Sequence, residues 1–293
     1  MTKYSINISG KIDKPTLSLY EIINHVAMEN DIPFFVAGAT AREIIFYHHY
    51  NIQTGTATKD IDFGIKVSNW DQFNQLKKGL LDTGEFVEKQ KHKLEHKNGI
   101  PLDLVPFGGI ASKSASITWP PDNDIEMNIL GFGEAYEHAL WVRLRDKPVL
   151  DIPFASIAGL ALMKIISWDD GYTHNTSDIK KRRKNDSRDL AFFMKNYIDA
   201  GNQERFYSDA SLQEGVDYDY INGSARFLGR DIANIANKQS LQTVFKILDR
   251  ECDGARSSTL AEDIMRQKDE TRDYDTILSN INSLKQGIKE GIK

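Results

Sequence analysis

Two aspartates in the segment Lys59-Asp60-Ile61-Asp62-Phe63-Gly64 are the sharpest chemical feature of the chain. On a strand, the two-residue side-chain period puts Asp60 and Asp62 on one face and Ile61 and Phe63 on the other, against a core. Carboxylates that close repel each other, and a cation between them keeps both ionised. Magnesium suits such a pair, because it takes hard oxygen ligands and commonly binds one or two protein carboxylates plus substrate phosphates. Asp103 stands in a second apolar strand pattern, Pro101-Leu102-Asp103-Leu104-Val105-Pro106-Phe107. With the two strands adjacent, Asp103 completes a three-carboxylate cluster. Two magnesium ions about 3.5–4 Å apart can then activate an acceptor hydroxyl and neutralise charge on a transferred phosphoryl group. Asp60 and Asp62 would hold the nucleotide-bound ion. Asp103 would join them at the second ion and help deprotonate the hydroxyl. The competing reading is a solvated strand face that happens to carry Asp-x-Asp.

A second feature lies upstream, at Val36-Ala37-Gly38-Ala39-Thr40. The pattern is a strand running through a tight turn into a helix. Gly38 permits close approach of backbone to a phosphate. The backbone N–H groups of Ala39 and Thr40, at a helix N-terminus, can face phosphate oxygens, and Thr40 adds a hydroxyl. Arg42 follows in the first turn, where a cation gains nothing from the helix dipole. It is either a phosphate contact or a solvated surface arginine.

These residues need a frame, and the hydrophobic pattern supplies one. The periodicity predicts helices over Thr16–Asn30, Ala39–Tyr47 and Trp70–Leu81, the last capped by Ser68 or Asn69. It predicts strands over Pro33–Val36 and Asp60–Val67, with residues 51–59 as a polar loop. Phe86–Glu95 and Ile100–Val105 read as a hairpin around His96-Lys97-Asn98-Gly99. Residues 108–150 are less legible. They hold the Ser/Pro-rich SKSASITWPPDND and a short strand pair, Glu137–Leu144 and Lys147–Val149. From Phe154 the pattern turns helical: Phe154–Trp168, a helix from near Asp178 to Asp199, Arg226–Gln239, Leu241–Asp249, Thr259–Lys268 and Thr271–Ile288. The expected fold class is α+β, a mixed-sheet domain over 1–150 followed by a helical domain over 151–293.

Bulk composition agrees with a folded protein of two ordinary domains. The chain has 293 residues, 40% of them hydrophobic, enough for a substantial core. The net charge of -5 argues against wrapping long duplex nucleic acid by bulk charge, though not against a local basic groove. A single cysteine, Cys252, excludes an intramolecular disulfide and a cysteine metal cluster. The start MTKYSINISGKIDK has no apolar signal segment, and Ile152–Ile166 is too short and mixed to span a bilayer. A cytoplasmic location and no membrane partner are the expectation.

The motifs resemble the nucleotidyltransferase superfamily of the DNA polymerase beta type. More narrowly, the wording AGATAREII…TKDIDFGI is similar to the AbiEii/AbiGii toxins of bacterial type IV toxin–antitoxin and phage-defence systems. Gly38-Ala39-Thr40, Asp60-Ile61-Asp62 and Asp103 match the pattern, and the resemblance covers roughly residues 30 to 200. It implies transfer of a nucleotide from an NTP, such as ATP, onto an acceptor hydroxyl with two Mg²⁺ ions. The implied acceptor is tRNA, and the implied partner is a cognate antitoxin protein. Acceptors of the same chemistry elsewhere are a protein or an aminoglycoside, and a non-catalytic nucleotide or partner binder is the reading from another class. By resemblance, Lys164 holds the triphosphate, and Asp186 or Asp189 orients Lys164, the base or the ribose. Lys59, Thr40 and Arg42 belong to the nucleotide-binding set. The helical domain would complete the nucleotide and acceptor cleft. One departure stands out: Ala39 replaces the second glycine or serine of the turn, which keeps the backbone donor and loses a hydroxyl.

Basic runs complete the inventory. Lys180-Lys181-Arg182-Arg183-Lys184 is either a solvated helix face or loop, or a contact for RNA phosphates or the nucleotide tail. Lys89, Lys91 and Lys93 alternate on a strand and could extend an acceptor surface. Lys164 either snorkels from an apolar helix or emerges at a site. His48 and His49 read as surface residues at a helix end. Trp168 and Tyr172 read as packing rather than base stacking. No Walker A loop, three-glycine dinucleotide fingerprint or Gly-x-Ser-x-Gly elbow is present.

Overall fold

The computed structural model describes residues 5–55, 60–121, 126–173, 177–213, 219–268 and 270–292. Lys59, with the end of the polar loop before Asp60 and residues 122–125 of the Ser/Pro-rich segment, lies outside them. The chain divides into two compact units, Met1–Ser156 and Ile157–Lys293.

The first unit is built on an eight-stranded mixed sheet. Its strands are β1 (Ile6–Asn7), β2 (Phe34–Ala37), β3 (Ile61–Val67), β4 (Phe86–Gln90), β5 (Lys93–His96), β6 (Pro101–Gly108), β9 (Leu140–Arg145) and β10 (Leu150–Phe154). Their order is β1-β9-β10-β2-β3-β6-β5-β4. The pairs β1/β9, β10/β2 and β3/β6 are parallel, and the others are antiparallel. β7 (Ser116–Thr118) and β8 (Glu126–Asn128) form a separate two-stranded sheet. The helices of this unit are α1 (Lys14–Glu29), α2 (Gly38–Glu43), α3 (Trp70–Asp82) and α4 (Phe132–Glu137).

Strand alternation decides which face of the sheet does what. Ile61, Phe63 and Ile65 of β3, with Leu102 and Leu104 of β6, are buried on one face. Tyr20 of α1 meets Phe63 edge-on there, with ring centroids 6.2 Å apart. Asp13 caps α1 by accepting from the Thr16 N–H at 3.0 Å, and Asn69 caps α3 by accepting from the Gln72 N–H at 3.0 Å. On the other face, Phe35 of β2 packs against Phe107 of β6 and against Phe132 and Tyr136 of α4. Gly64 makes room for that cluster, since a Cβ there would come within 2.2 Å of the Phe35 ring. The far end of this same face carries Asp62 and Asp103.

Three expectations are corrected in detail. The helix after Gly38 changes its winding: α2 ends at Glu43 and the chain continues as a π-helix over Ile44–His49. The segment read as one strand, Phe86–Glu95, is two strands that turn at Lys91-His92, so β4, β5 and β6 form a three-stranded meander. The second strand pair is β9 with β10, and Phe154 ends β10 instead of opening a helix.

The second unit is helical among the described residues: α5 (Ile157–Thr173), α6 (Ser177–Asn196), α7 (Gln203–Ser208), α8 (Ala210–Gln213), α9 (Tyr220–Ile235), α10 (Lys238–Glu251), α11 (Thr259–Met265) and α12 (Tyr274–Gly291). Its core includes Ile166, Trp168, Leu190, Phe193, Leu228, Leu248 and Leu284. α9 and α12 approach closely, because a Cβ on Gly287 would sit 1.9 Å from the Arg226 carbonyl oxygen.

Candidate active site

A single row of residues crosses four strands of the first unit. Ala37 of β2 is the register partner of Asp62 of β3, Asp62 of Asp103 of β6, and Asp103 of Lys93 of β5. Register partners emerge on one face, and neighbouring strands lie about 4.8 Å apart. Asp62 and Asp103 therefore stand side by side. The Lys93 ammonium lies 3.0 Å from Asp103 Oδ2. The other oxygen, Asp103 Oδ1, is buried with no hydrogen-bond partner among the described residues.

The turn after β2 closes onto this row. Gly38 has φ +62°, a left-handed conformation that glycine adopts at little cost. A Cβ there would lie 1.8 Å from Asp62 Oδ2, so only glycine fits against that carboxylate. Ala39 and Thr40 follow in the first turn of α2, both half-buried. The Thr40 hydroxyl donates to the Asp60 carbonyl oxygen at 3.0 Å and so ties the helix to the entrance of β3. Arg42 points into the unit and is 2% exposed, which removes the solvated-surface reading for it.

Asp60 stands one residue ahead of β3 and is exposed. The sequence predicts three carboxylates together, whereas the structure brings two into register. Among the described residues, no group of three or more His, Cys, Asp or Glu side chains gathers to hold a metal ion. Asp62 and Asp103 nonetheless suit a magnesium ion that draws its remaining ligands from water and from a substrate's phosphates. Both are hard oxygen donors, and Asp103 Oδ1 is a buried oxygen lacking any other partner.

Lys93 is the residue whose role the sequence reading missed. Its signal was present: Lys93 and Asp103 lie equally far from Asn98 at the centre of the β5–β6 turn, and hairpin register pairs such residues. On and beside the alternating basic strand two lysines make exposed ion pairs. Lys89 pairs with Glu95 at 3.0 Å and Lys97 with Glu85 at 3.2 Å.

In the second unit the matched residues form their own constellation. The Lys164 ammonium on α5 lies 2.7 Å from Asp186 Oδ1 and 3.0 Å from Asp189 Oδ2 on α6. The Ser167 hydroxyl donates to Asp186 Oδ2 at 2.8 Å. Burial works against the charge on Lys164, but the two aspartates outweigh it and hold the lysine above its ordinary value. Lys164 thus does not snorkel. Trp168 is fully buried and donates its indole N–H to Asp263 at 3.1 Å, as packing requires. Lys180, Lys181, Arg182 and Lys184 are exposed on α6, while Arg183 turns inward to Asp263 at 2.8 Å.

Three solved structures resemble this chain distantly. The antibiotic-resistance factor ANT(2'')-Ia matches with 12% identity and a TM-score of 0.33, over 69% of this chain and 97% of its own. JHP933 from Helicobacter pylori matches with 12% identity and a TM-score of 0.32, over 96% of this chain and 94% of its own. A CCA-adding enzyme in complex with CTP matches with 11% identity and a TM-score of 0.25, over 94% of this chain and 71% of its own. No protein-family model matches the sequence, and no curated protein matches it. Likeness at this level leaves the chemistry to be argued from the chain's own residues. Among those described, no helix is long and apolar enough to cross a membrane.

Proposed function

We propose that this chain is a magnesium-dependent nucleotidyltransferase that moves NMP from an NTP onto an acceptor hydroxyl. The observation that carries the reading is the in-register pair Asp62 and Asp103 beside the left-handed turn at Gly38, where a Cβ would displace the Asp62 carboxylate. In this reading the triphosphate lies over the Gly38–Thr40 turn, whose first side chain is missing where a phosphate would approach. Asp62 and Asp103 hold the ion, which when bound supplies charge neutralisation for the phosphates. The acceptor oxygen bonds to the α-phosphorus as the bond to pyrophosphate breaks. Asp103 takes the proton of the incoming hydroxyl, and Lys93 fixes the carboxylate through Oδ2.

RNA is the acceptor this reading favours. Lys180, Lys181, Arg182 and Lys184 give an exposed cationic run on α6 that suits phosphates. The likeness of AGATAREII and TKDIDFGI to AbiEii/AbiGii toxins carries it to tRNA as acceptor and to a separate antitoxin protein as partner. The test incubates the full chain and Mg²⁺ with total tRNA and each α-labelled NTP in turn. Label on tRNA from one NTP is the expected result, and it names the nucleotide. NTP binding without label on any RNA would remove the RNA acceptor. Absence of NTP binding would remove the enzyme reading.

A further inference from the structure

A cavity of about 430 Å³ opens on the face of β3 opposite Asp62, between α1, the π-helix and the β5–β6 turn. Ile61 forms part of its wall, and Ile44 part of the helix side. Its polar lining includes Lys11, Asp13, Tyr20, Thr40, Glu43 and His48. Of its lining residues, Thr40 alone also belongs to the turn over which the triphosphate would lie.

Tyr20 is the unusual member. Its side chain is 0% exposed, yet its hydroxyl has no hydrogen-bond partner among the described residues. A buried hydroxyl left unpaired costs about 1–3 kcal/mol, so a residue of the cavity wall that carries one points to a partner from outside the chain. Burial first, then the charges of Glu43 and Asp13, push the phenol well above its ordinary value. It stays neutral and keeps its proton to share. Asp13 and Glu43 both line the same cavity.

The charge balance indicates what the partner carries. Glu43 and Asp13 contribute two negative charges. Lys11 contributes one positive charge, but its ammonium donates to the His48 carbonyl oxygen at the rim. Burial holds the His48 imidazole below its ordinary value, so it adds no charge at neutral pH. The polar lining is therefore net negative, while Ile44 and Ile61 offer apolar walls. Bare metal ions gain nothing from isoleucine. An anion would meet two carboxylates.

We propose that this cavity is a binding site for a small organic ammonium ion with an aliphatic body. The ammonium reaches Glu43 and the Tyr20 hydroxyl, and the aliphatic part lies along Ile44 and Ile61. Thr40 stands in the cavity wall and also bonds to Asp60, which gives the ligand a physical link to the start of β3.

The test is calorimetric titration of the full chain with 1,4-diaminobutane, using 1,4-butanediol as the uncharged probe of the same length. The diamine binds and the diol does not. Glu43→Gln, which keeps shape and removes charge, weakens diamine binding at least tenfold. Tyr20→Phe, which removes an atom with no partner in the chain, weakens it several-fold while thermal unfolding shows the fold retained. Asp62→Asn leaves it unchanged, which separates this site from the transfer centre. Failure of the diamine to bind, equal binding of the diol, or unchanged affinity in folded Glu43→Gln would overturn the proposal.

Discussion

Asp62 and Asp103 are neighbours in register but are held by different means. Asp62 is confined by the backbone of Gly38, and Asp103 by the Lys93 ammonium. Gly38 is the position where that confinement can be tested without touching a carboxylate. Gly38→Ala places a methyl group at the Asp62 oxygen and forces alanine into a left-handed conformation costing about 1–2 kcal/mol. A displacement of about 1 Å at a reacting centre can cost 10²-fold in rate. The expected outcome is a fold retained by circular dichroism and a transfer rate lowered about 10²-fold. An unchanged rate would mean that Asp62 need not stay where Gly38 leaves it. At this scale the sequence was informative where alternation did the work: Asp62 and Ile61 fall on the faces their spacing requires. The Lys93–Asp103 pairing was there to be read from the hairpin register but was passed over, and nothing local announced the burial of Arg42.

Elements were legible where their punctuation is chemical. Asn69 marks a helix start with a side chain that accepts from the backbone, whereas Asp13, which caps α1 in the same way, is passed over, with the helix read from Thr16. Asn98-Gly99 marks the β5–β6 turn. The turn at Lys91-His92 carries no glycine, proline or asparagine, so β4 and β5 read as one strand. The π-helix over Ile44–His49 has the same apolar spacing as an α-helix and gave no warning. Pro153 reads as punctuation before a helix, yet it lies inside β10, paired with Trp141 of β9. One pair of helices supports a prediction about stability. Arg226 and Arg230 of α9 both bind Glu290 of α12, at 2.7 and 2.6 Å. Burial opposes the charge on Glu290, but hydrogen bonds from Arg226, Gln286 and Arg230 prevail and lower it from 4.5 to about 2. A carboxylate depressed in the folded state stabilises above its unfolded value and loses that contribution as pH falls through the folded one. The α9–α12 clamp is thus intact at neutral pH and fails between about pH 4.5 and 2. Urea midpoints measured at pH 7, 4 and 3 should fall less steeply with acid in Glu290→Gln than in the parent, from a lower starting stability. Parallel pH profiles would contradict this role for Glu290.

At the scale of the molecule, two units each carry a core of their own, and both have the size of ordinary domains. Residues 1–156 and 157–293 produced separately should each unfold in one cooperative thermal transition. A segment that shows no transition alone would mean that it borrows stability from the other. The sequence pattern shifts from strand alternation to helix periodicity between Pro148 and Pro153, and the boundary between the two compact units falls at Ser156/Ile157. The central claim, however, belongs to the whole chain in action. The most direct test is the rate of label transfer from the preferred α-labelled NTP, compared between the parent and Asp62→Asn with the fold checked in both. If the proposed mechanism holds, removing one of the two carboxylates that would hold the ion costs at least 10³-fold, about 4 kcal/mol of transition-state stabilisation. Transfer by Asp62→Asn at the parent's rate would place the chemistry elsewhere in the molecule.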